Sequence, residues 1–163
     1  MKIPQIIAHK IYDLSGLQHQ LSRWRLLSKT VSFTNGCFDI LHQGHIASLS
    51  EAATEADFLV VGVNSDASTR RLKGESRPIN SQDARAFLLA SLLMVDAVII
   101  FDEDTPLNLI NAVQPDVLVK GGDYTLDQIV GAKEVMAAGG RVVINPIVPG
   151  YSTTGLIEKI HRL

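Results

Sequence analysis

Residues 34–45 read TNGCFDILHQGH. His42 and His45 lie three apart, with Gly44 between them and Gly36, Cys37 and Asp39 just upstream. A metal site would need more ligands, and no second cysteine or further nearby histidine completes a set around Cys37. Either histidine alone reads as an ordinary, partly buried side chain. Together, at a point where a strand runs into a helix, they can aim N–H donors at phosphate oxygens beside the free backbone N–H groups of the helix start. Gly36 and Gly44 would let a ligand or another strand approach closely, although each also suits a plain turn. The loop lacks both G-x-x-x-x-G-K-[ST] and G-x-G-x-x-G, so it carries neither a P-loop nor a dinucleotide fingerprint.

The elements that must hold this loop follow from hydrophobic patterning. Short runs rich in Val, Ile and Phe begin at Val31, Phe58, Ala97, Val117 and Val142. They barely alternate with polar residues, as strands buried on both faces of a parallel sheet do. Helical segments separate them. Gly44–Glu55 places Ile46, Leu49 and Ala53 on one face. Asn80 can cap the helix beginning SQDARAFLLA, with Asp83 as a capping-box-like acid. Thr105 followed by Pro106 suits an N-cap and first helical position, and Ser152 or Thr153 can cap the last helix. Residues 13–28 read as an N-terminal helix with Leu14, Leu17, Leu21 and Trp24 inward. The alternation predicts an α/β fold, a Rossmann-like doubly wound five-stranded parallel sheet with helices on both faces, forming one domain over 1–163 with 1–30 as a helical extension packed on it. Such sheets bind ligands at the carboxyl ends of the strands. The loops expected there are the polar, Gly-rich stretches NGCFDILHQGH, NSDASTRRLKGESRPIN, DEDTP, KGGDYTLDQIVGA and NPIVPGYSTT.

Composition narrows the partners. A net charge of −2 gives no long-range attraction to nucleic acid or an anionic membrane, so an anionic ligand must be held by local geometry. A single cysteine excludes an internal disulfide framework and suits a reducing compartment. The first residues lack a signal-peptide core, and no apolar run approaches a membrane span, so the expected location is cytoplasmic.

The stretch TNGCFDILHQGH resembles the G-x-F-D-x-x-H-x-G-H signature of the cytidylyltransferase-like nucleotidyltransferases, and YSTTGLIEKI resembles their second signature, the S-T-T turn that opens the last helix. The resemblance runs from Val31 to Leu163. It implies transfer of a nucleoside monophosphate from an NTP to a phosphate or alcohol, with release of pyrophosphate. VNSDASTRRLKGESRPIN, DEDTP and PDVLVKGGDY further resemble the branch of that family that adenylylates D-glycero-D-manno-heptose 1-phosphate to ADP-heptose for the lipopolysaccharide inner core. In some organisms that activity is fused behind a sugar kinase. This chain resembles the stand-alone form, which implies a separate upstream kinase. The branch using CTP and glycerol 3-phosphate carries an arginine shortly before S-T-T, where this chain has Ile147 and Val148. That branch is the alternative within the enzymes, and a non-catalytic nucleotide-binding module is the alternative outside them.

The resemblance implies roles residue by residue. His42 and His45 take the ATP phosphates, with His45 nearest the transferring α-phosphate. Lys73, read as part of a mobile loop, reaches across when that loop closes, because its flexible stem can follow a phosphate as a point charge. Asn35, Gly36 and Phe38 form a wall of the nucleotide pocket. Lys120, Gly121 and Asp123 face adenine or ribose, and Ser152 and Thr153 offer hydroxyls and N–H groups at a helix start. Asn64 and Asp66 lie toward the sugar phosphate, with Arg77 and Arg85 as further sources of positive charge. Arg70 and Arg71 read as solvated surface, and Asp102, Glu103 and Asp104 as a solvated acidic loop. Mg2+ is expected to arrive with ATP rather than sit in a protein cage. The expected partners are ATP, a sugar 1-phosphate and a second copy of the chain in a homodimer.

Overall fold

The computed structural model describes residues 4–146 and 149–163. A six-stranded, all-parallel sheet forms the centre: β1 (Ile11–Tyr12), β2 (Val31–Gly36), β3 (Phe58–Asn64), β4 (Ala97–Phe101), β5 (Val117–Gly121) and β6 (Arg141–Asn145). The spatial order is β1-β4-β3-β2-β5-β6. The chain therefore steps outward from β2 through β3 to β4, then returns to the other side of β2 for β5 and β6. Strand order reverses at β2, and a crevice opens there at the carboxyl ends.

The helices are α1 (Leu14–Leu26), α2 (Gln43–Thr54), α3 (Asp66–Lys73), α4 (Gln82–Ala90), α5 (Leu107–Val113), α6 (Ala132–Ala137) and α7 (Thr153–His161). Side chains alternate across each strand and so feed two cores. On one face Phe33 and Val60 meet Leu17 and Leu21 of α1 and Leu109 of α5; on the other Leu59, Val61 and Val63 pack with Leu49 of α2 and Leu89 of α4. Each fully buried side chain of this kind contributes roughly 1.5–3 kcal/mol. Gly62 keeps the first core tight, because a Cβ there would sit 3.0 Å from the Phe33 ring and 3.1 Å from Leu109.

Four expectations about these elements need correction. The sheet has six strands rather than five, because Ile11 and Tyr12 pair with Val98 and Ile99 at the edge. Two residues are too short to show a period, and the pairing is fixed by tertiary contact: Lys10 Nζ donates to the carbonyls of Leu92 and Val95 at 3.3 and 2.6 Å. In α1 Leu17, Leu21 and Trp24 are buried, but Leu14, in the first turn, is 47% exposed. The cap of α4 is Ser81, which accepts from Ala84 N, whereas the Asn80 side chain donates to the Asp39 carbonyl. At α5 the cap position is Pro106 with no side-chain cap bond, so Thr105 lies one residue too early.

Candidate active site

The carboxyl ends of β2–β5, together with the segments that follow them and β6, enclose a cavity of about 730 Å³. The turn from β2 into α2 forms its floor. Phe38 adopts a left-handed backbone with φ of 49°, uncommon for a residue with a side chain. That conformation lays its ring against Gly36, where a Cβ would stand 3.2 Å from it, and edge-on to His45 at 5.3 Å between ring centroids. His42 is the cap position of α2 but makes no side-chain cap bond, so its ring is free for another use. His42 and His45 stack with centroids 3.8 Å apart and an interplanar angle of 20°.

Two imidazolium rings in that geometry would repel, and burial removes water from both. Burial lowers the His42 pKa, and burial together with the neighbouring His42 lowers that of His45 to about 4. Both rings are therefore neutral at pH 7, each with one N–H to donate. Each Nδ1 is buried without a partner among the described residues. Contact with a ligand in the cavity therefore falls to Nε2. The first turn of α2 adds backbone N–H groups and the positive end of its dipole.

The depressed His45 pKa has a consequence for stability. The unfolded chain takes up this proton near pH 6.5, the folded chain only near pH 4. Stability is therefore full above about pH 6.5 and falls as pH drops toward about 4. After discounting for partial solvation, the loss is on the order of 1–2 kcal/mol. Thermal melts from pH 7 to 4.5 are expected to show this decline, and His45→Gln is expected to flatten it. An unchanged slope in the variant would rule His45 out as its source.

One wall comes from the β3–β4 side. Ser65 caps α3 by accepting from Ser68 N at 2.9 Å, and Gly74, with φ of 95°, follows its last residue, Lys73. Residues 66–73 are thus a helix, not the first half of a mobile loop as the polar sequence suggests. Their apolar content is too low for periodicity to register, and it is the capping that defines the element. Lys73 lines the cavity from the helix end. Arg71 is exposed, as the sequence suggests, and its Nε binds the exposed Asp104 at 2.6 Å, fastening α3 to the segment after β4.

Arg77 lines the cavity and pairs through Nε with Asp39, whose carboxylate is fully buried. Asp39 also accepts from the backbone N–H groups of Ile79 and Asn80 at 2.7 and 2.9 Å. Burial alone would raise its pKa, but these bonds and Arg77 outweigh that and hold it below the usual carboxylate value. Arg85, expected at the substrate, is completely buried beneath the cavity. Its guanidinium donates to the carbonyls of Asn80, Cys37 and Asn64 and to the Asp66 carboxylate at 2.6–3.0 Å. The ends of β2 and β3 leave carbonyls without sheet partners, and Arg85 satisfies them. Asp66 serves as its counter-ion and, like Arg85, does not line the cavity.

The opposite wall comes from the β5–β6 side. Lys120 lines the cavity, and its Nζ lies 3.5 Å from Asn35 Oδ1. Burial lowers its pKa; nearby Cys37 opposes that and Lys73 across the cavity adds to it. Lys120 has no carboxylate within ion-pair distance among the described residues. Gly121 lines the cavity beside Ser48, but Asp123 is exposed and outside the lining. Ser152 caps α7 by accepting from Gly155 N at 3.0 Å, and with Thr153 and Thr154 it lines the cavity mouth. Ile147 and Val148, which stand where the CTP-using branch carries an arginine, lie outside the described residues.

His42, His45, Lys73, Asn35, Gly36, Phe38, Lys120, Gly121, Ser152, Thr153, Asn64 and Arg77 thus converge on one cavity, while Asp66, Arg85 and Asp123 do not. Sequence reasoning missed Asp39 as the holder of residues 77–80, and it missed Tyr151 and Gln128 in the lining. Asp39 sits inside the histidine motif, and that position was the available signal.

Comparison with known proteins gives consistent relatives. The family model described as Cytidylyltransferase-like matches residues 33–159. The bifunctional protein HldE of Mesorhizobium japonicum is 56% identical over 155 residues, covering 94% of this chain and 31% of that protein. HldE of Acidiphilium cryptum is 54% identical over 151 residues, covering 93% and 31% respectively. The chain therefore spans about a third of the length of these relatives. Among solved structures, the lipopolysaccharide core biosynthesis protein from Thermoplasma volcanium GSS1 is 33% identical with a TM-score of 0.60, covering 74% of this chain and 97% of that one. Pantoate-beta-alanine ligase from Francisella tularensis, complexed with beta-gamma ATP and beta-alanine, has a TM-score of 0.62 over 94% of this chain and 78% of its own. At 15% identity it shares the fold alone.

Proposed function

The chain belongs to the cytidylyltransferase-like family, and from that membership we propose that it transfers AMP from ATP to D-glycero-D-manno-heptose 1-phosphate, giving ADP-heptose and pyrophosphate. The observation that carries the reading is the convergence of a neutral histidine pair, two lysines and two helix starts on one cavity. That is a seat for a polyphosphate and a second phosphate. The names of the relatives, HldE and a lipopolysaccharide core biosynthesis protein, support the heptose branch.

The chemistry asks little of the protein covalently. An oxygen of the sugar phosphate bonds to the α-phosphorus of ATP in line. The bond from that phosphorus to the bridging oxygen breaks, and pyrophosphate leaves with the electron pair. The incoming phosphate is already an adequate nucleophile, so catalysis is alignment and charge stabilisation. His42 and His45 donate to the transferring phosphate, with His45 nearest it. Ser152 and Thr153 receive phosphate at the α7 start, and Lys73 and Lys120 supply charge from opposite walls. Among the described residues no group of three or more His, Cys, Asp or Glu converges to hold a metal ion. Magnesium in this reading binds the triphosphate and keeps much of its water.

The reading includes one nucleotidyltransferase domain over 1–163, a homodimer, a cytoplasmic location and a sugar kinase activity that makes the acceptor. Pyrophosphate release tests it directly. ATP with heptose 1-phosphate, tried as both anomers, is expected to give a higher kcat/KM than CTP with the same acceptor. Equal or better use of CTP, or preference for glycerol 3-phosphate, would overturn it.

A further inference from the structure

Two cations of the β3–β4 wall differ in how they are held. Lys73 is exposed at a helix end, whereas the Arg77 side chain is only 15% exposed and gripped through Nε. Neither Nη of Arg77 has a protein acceptor among the described residues. A guanidinium bonded at Nε keeps its far edge, Nη1 and Nη2, free for a bidentate oxyanion. Asp39 makes three bonds with one carboxylate: Nε of Arg77 on one oxygen, the N–H groups of Ile79 and Asn80 on the other. It therefore fixes the direction of Arg77 and the course of the segment carrying it.

Arg77 stands with Asn64, Lys73 and Asp104 on the β3–β4 wall, opposite Lys120 and the α7 start. If ATP takes the α7 start, the second phosphate has this wall. We propose that Arg77 binds the phosphate of the acceptor sugar through its Nη edge, and that Asp39 is the positioning residue that aims it. This rests on the adenylyltransferase reading and names the acceptor subsite within it.

Asp39→Asn separates aiming from folding. Its remaining carbonyl oxygen can still accept from Ile79 and Asn80, but its amide N–H would face the Arg77 Nε–H, donor against donor. Calorimetry on the full chain is read with heptose 1-phosphate and, separately, with a non-hydrolysable ATP analogue. Arg77→Ala is expected to weaken sugar-phosphate binding about tenfold or more and to change ATP-analogue binding by less than about threefold. Asp39→Asn is expected to weaken the same ligand selectively. The double variant Asp39→Asn/Arg77→Ala is expected to lose no more than about twofold beyond Arg77→Ala, since the two act as one unit. Arg77→Lys, which keeps the charge but lacks the bidentate edge, is expected to resemble Arg77→Ala and reads the same point if Asp39→Asn lowers the folded yield. Additive losses in the double variant, equal weakening of both ligands, or full binding by Arg77→Lys would overturn the proposal. Absence of turnover by the wild-type chain would instead remove the heptose reading. The same cycle read with inorganic phosphate would then still decide whether Asp39 aims Arg77 at an anion.

Discussion

His45→Ala is expected to remain folded, to bind ATP nearly as well as the wild type, and to turn over slower by about 10² or more, the scale of one lost transition-state donor. The His45 ring stacks on His42 and meets the Phe38 edge, and its Nδ1 has no partner among the described residues, so truncation breaks no side-chain hydrogen bond among them. What truncation removes is the N–H that a neutral imidazole can offer to the in-line phosphoryl group. Ground-state binding is spread over the α7 start, Lys120 and Lys73, so KM for ATP should move far less than kcat. Single-turnover kinetics with a melting curve decides the point. A folded His45→Ala enzyme at near-wild-type turnover would remove His45 from the transition state.

Arg85→Leu is expected to cost about 3–5 kcal/mol of stability, the range for removing one partner of a buried charge pair. The loss comes from what stays behind: the carbonyls of Asn80, Cys37 and Asn64 without a donor, and Asp66 without its counter-ion. A typical domain has about 5–15 kcal/mol in total, so the urea midpoint should fall sharply or the protein should be recovered unfolded. A residue that only contacted substrate would behave oppositely, with an unchanged midpoint and a raised KM. An unchanged midpoint in Arg85→Leu would return Arg85 to the list of substrate ligands.

The contrast between these two residues marks the boundary of what one dimension of sequence holds. Buried strands betray themselves through runs such as FLVVGV, because burial on both faces removes polar alternation. The parallel topology then fixes which loops share a mouth, and so the histidine motif, Lys120 and the S-T-T turn were legible as one site before any coordinate. Helix existence was legible where apolar spacing was strong, and failed at α3, whose capping by Ser65 and polar composition give no periodic signal. The direction of a long side chain was not legible at all. Arg77 and Arg85 lie eight apart in one polar segment and look alike in sequence. One ends at the cavity in the grip of Asp39, the other beneath it among strand-end carbonyls. The sequence by itself determined five of the six strands, their carboxyl-end mouth and the residue types gathered there. Only the tertiary structure decided which charges face the cavity and which are consumed inside, because that depends on where unpaired carbonyls and carboxylates lie in space, and no local pattern encodes it.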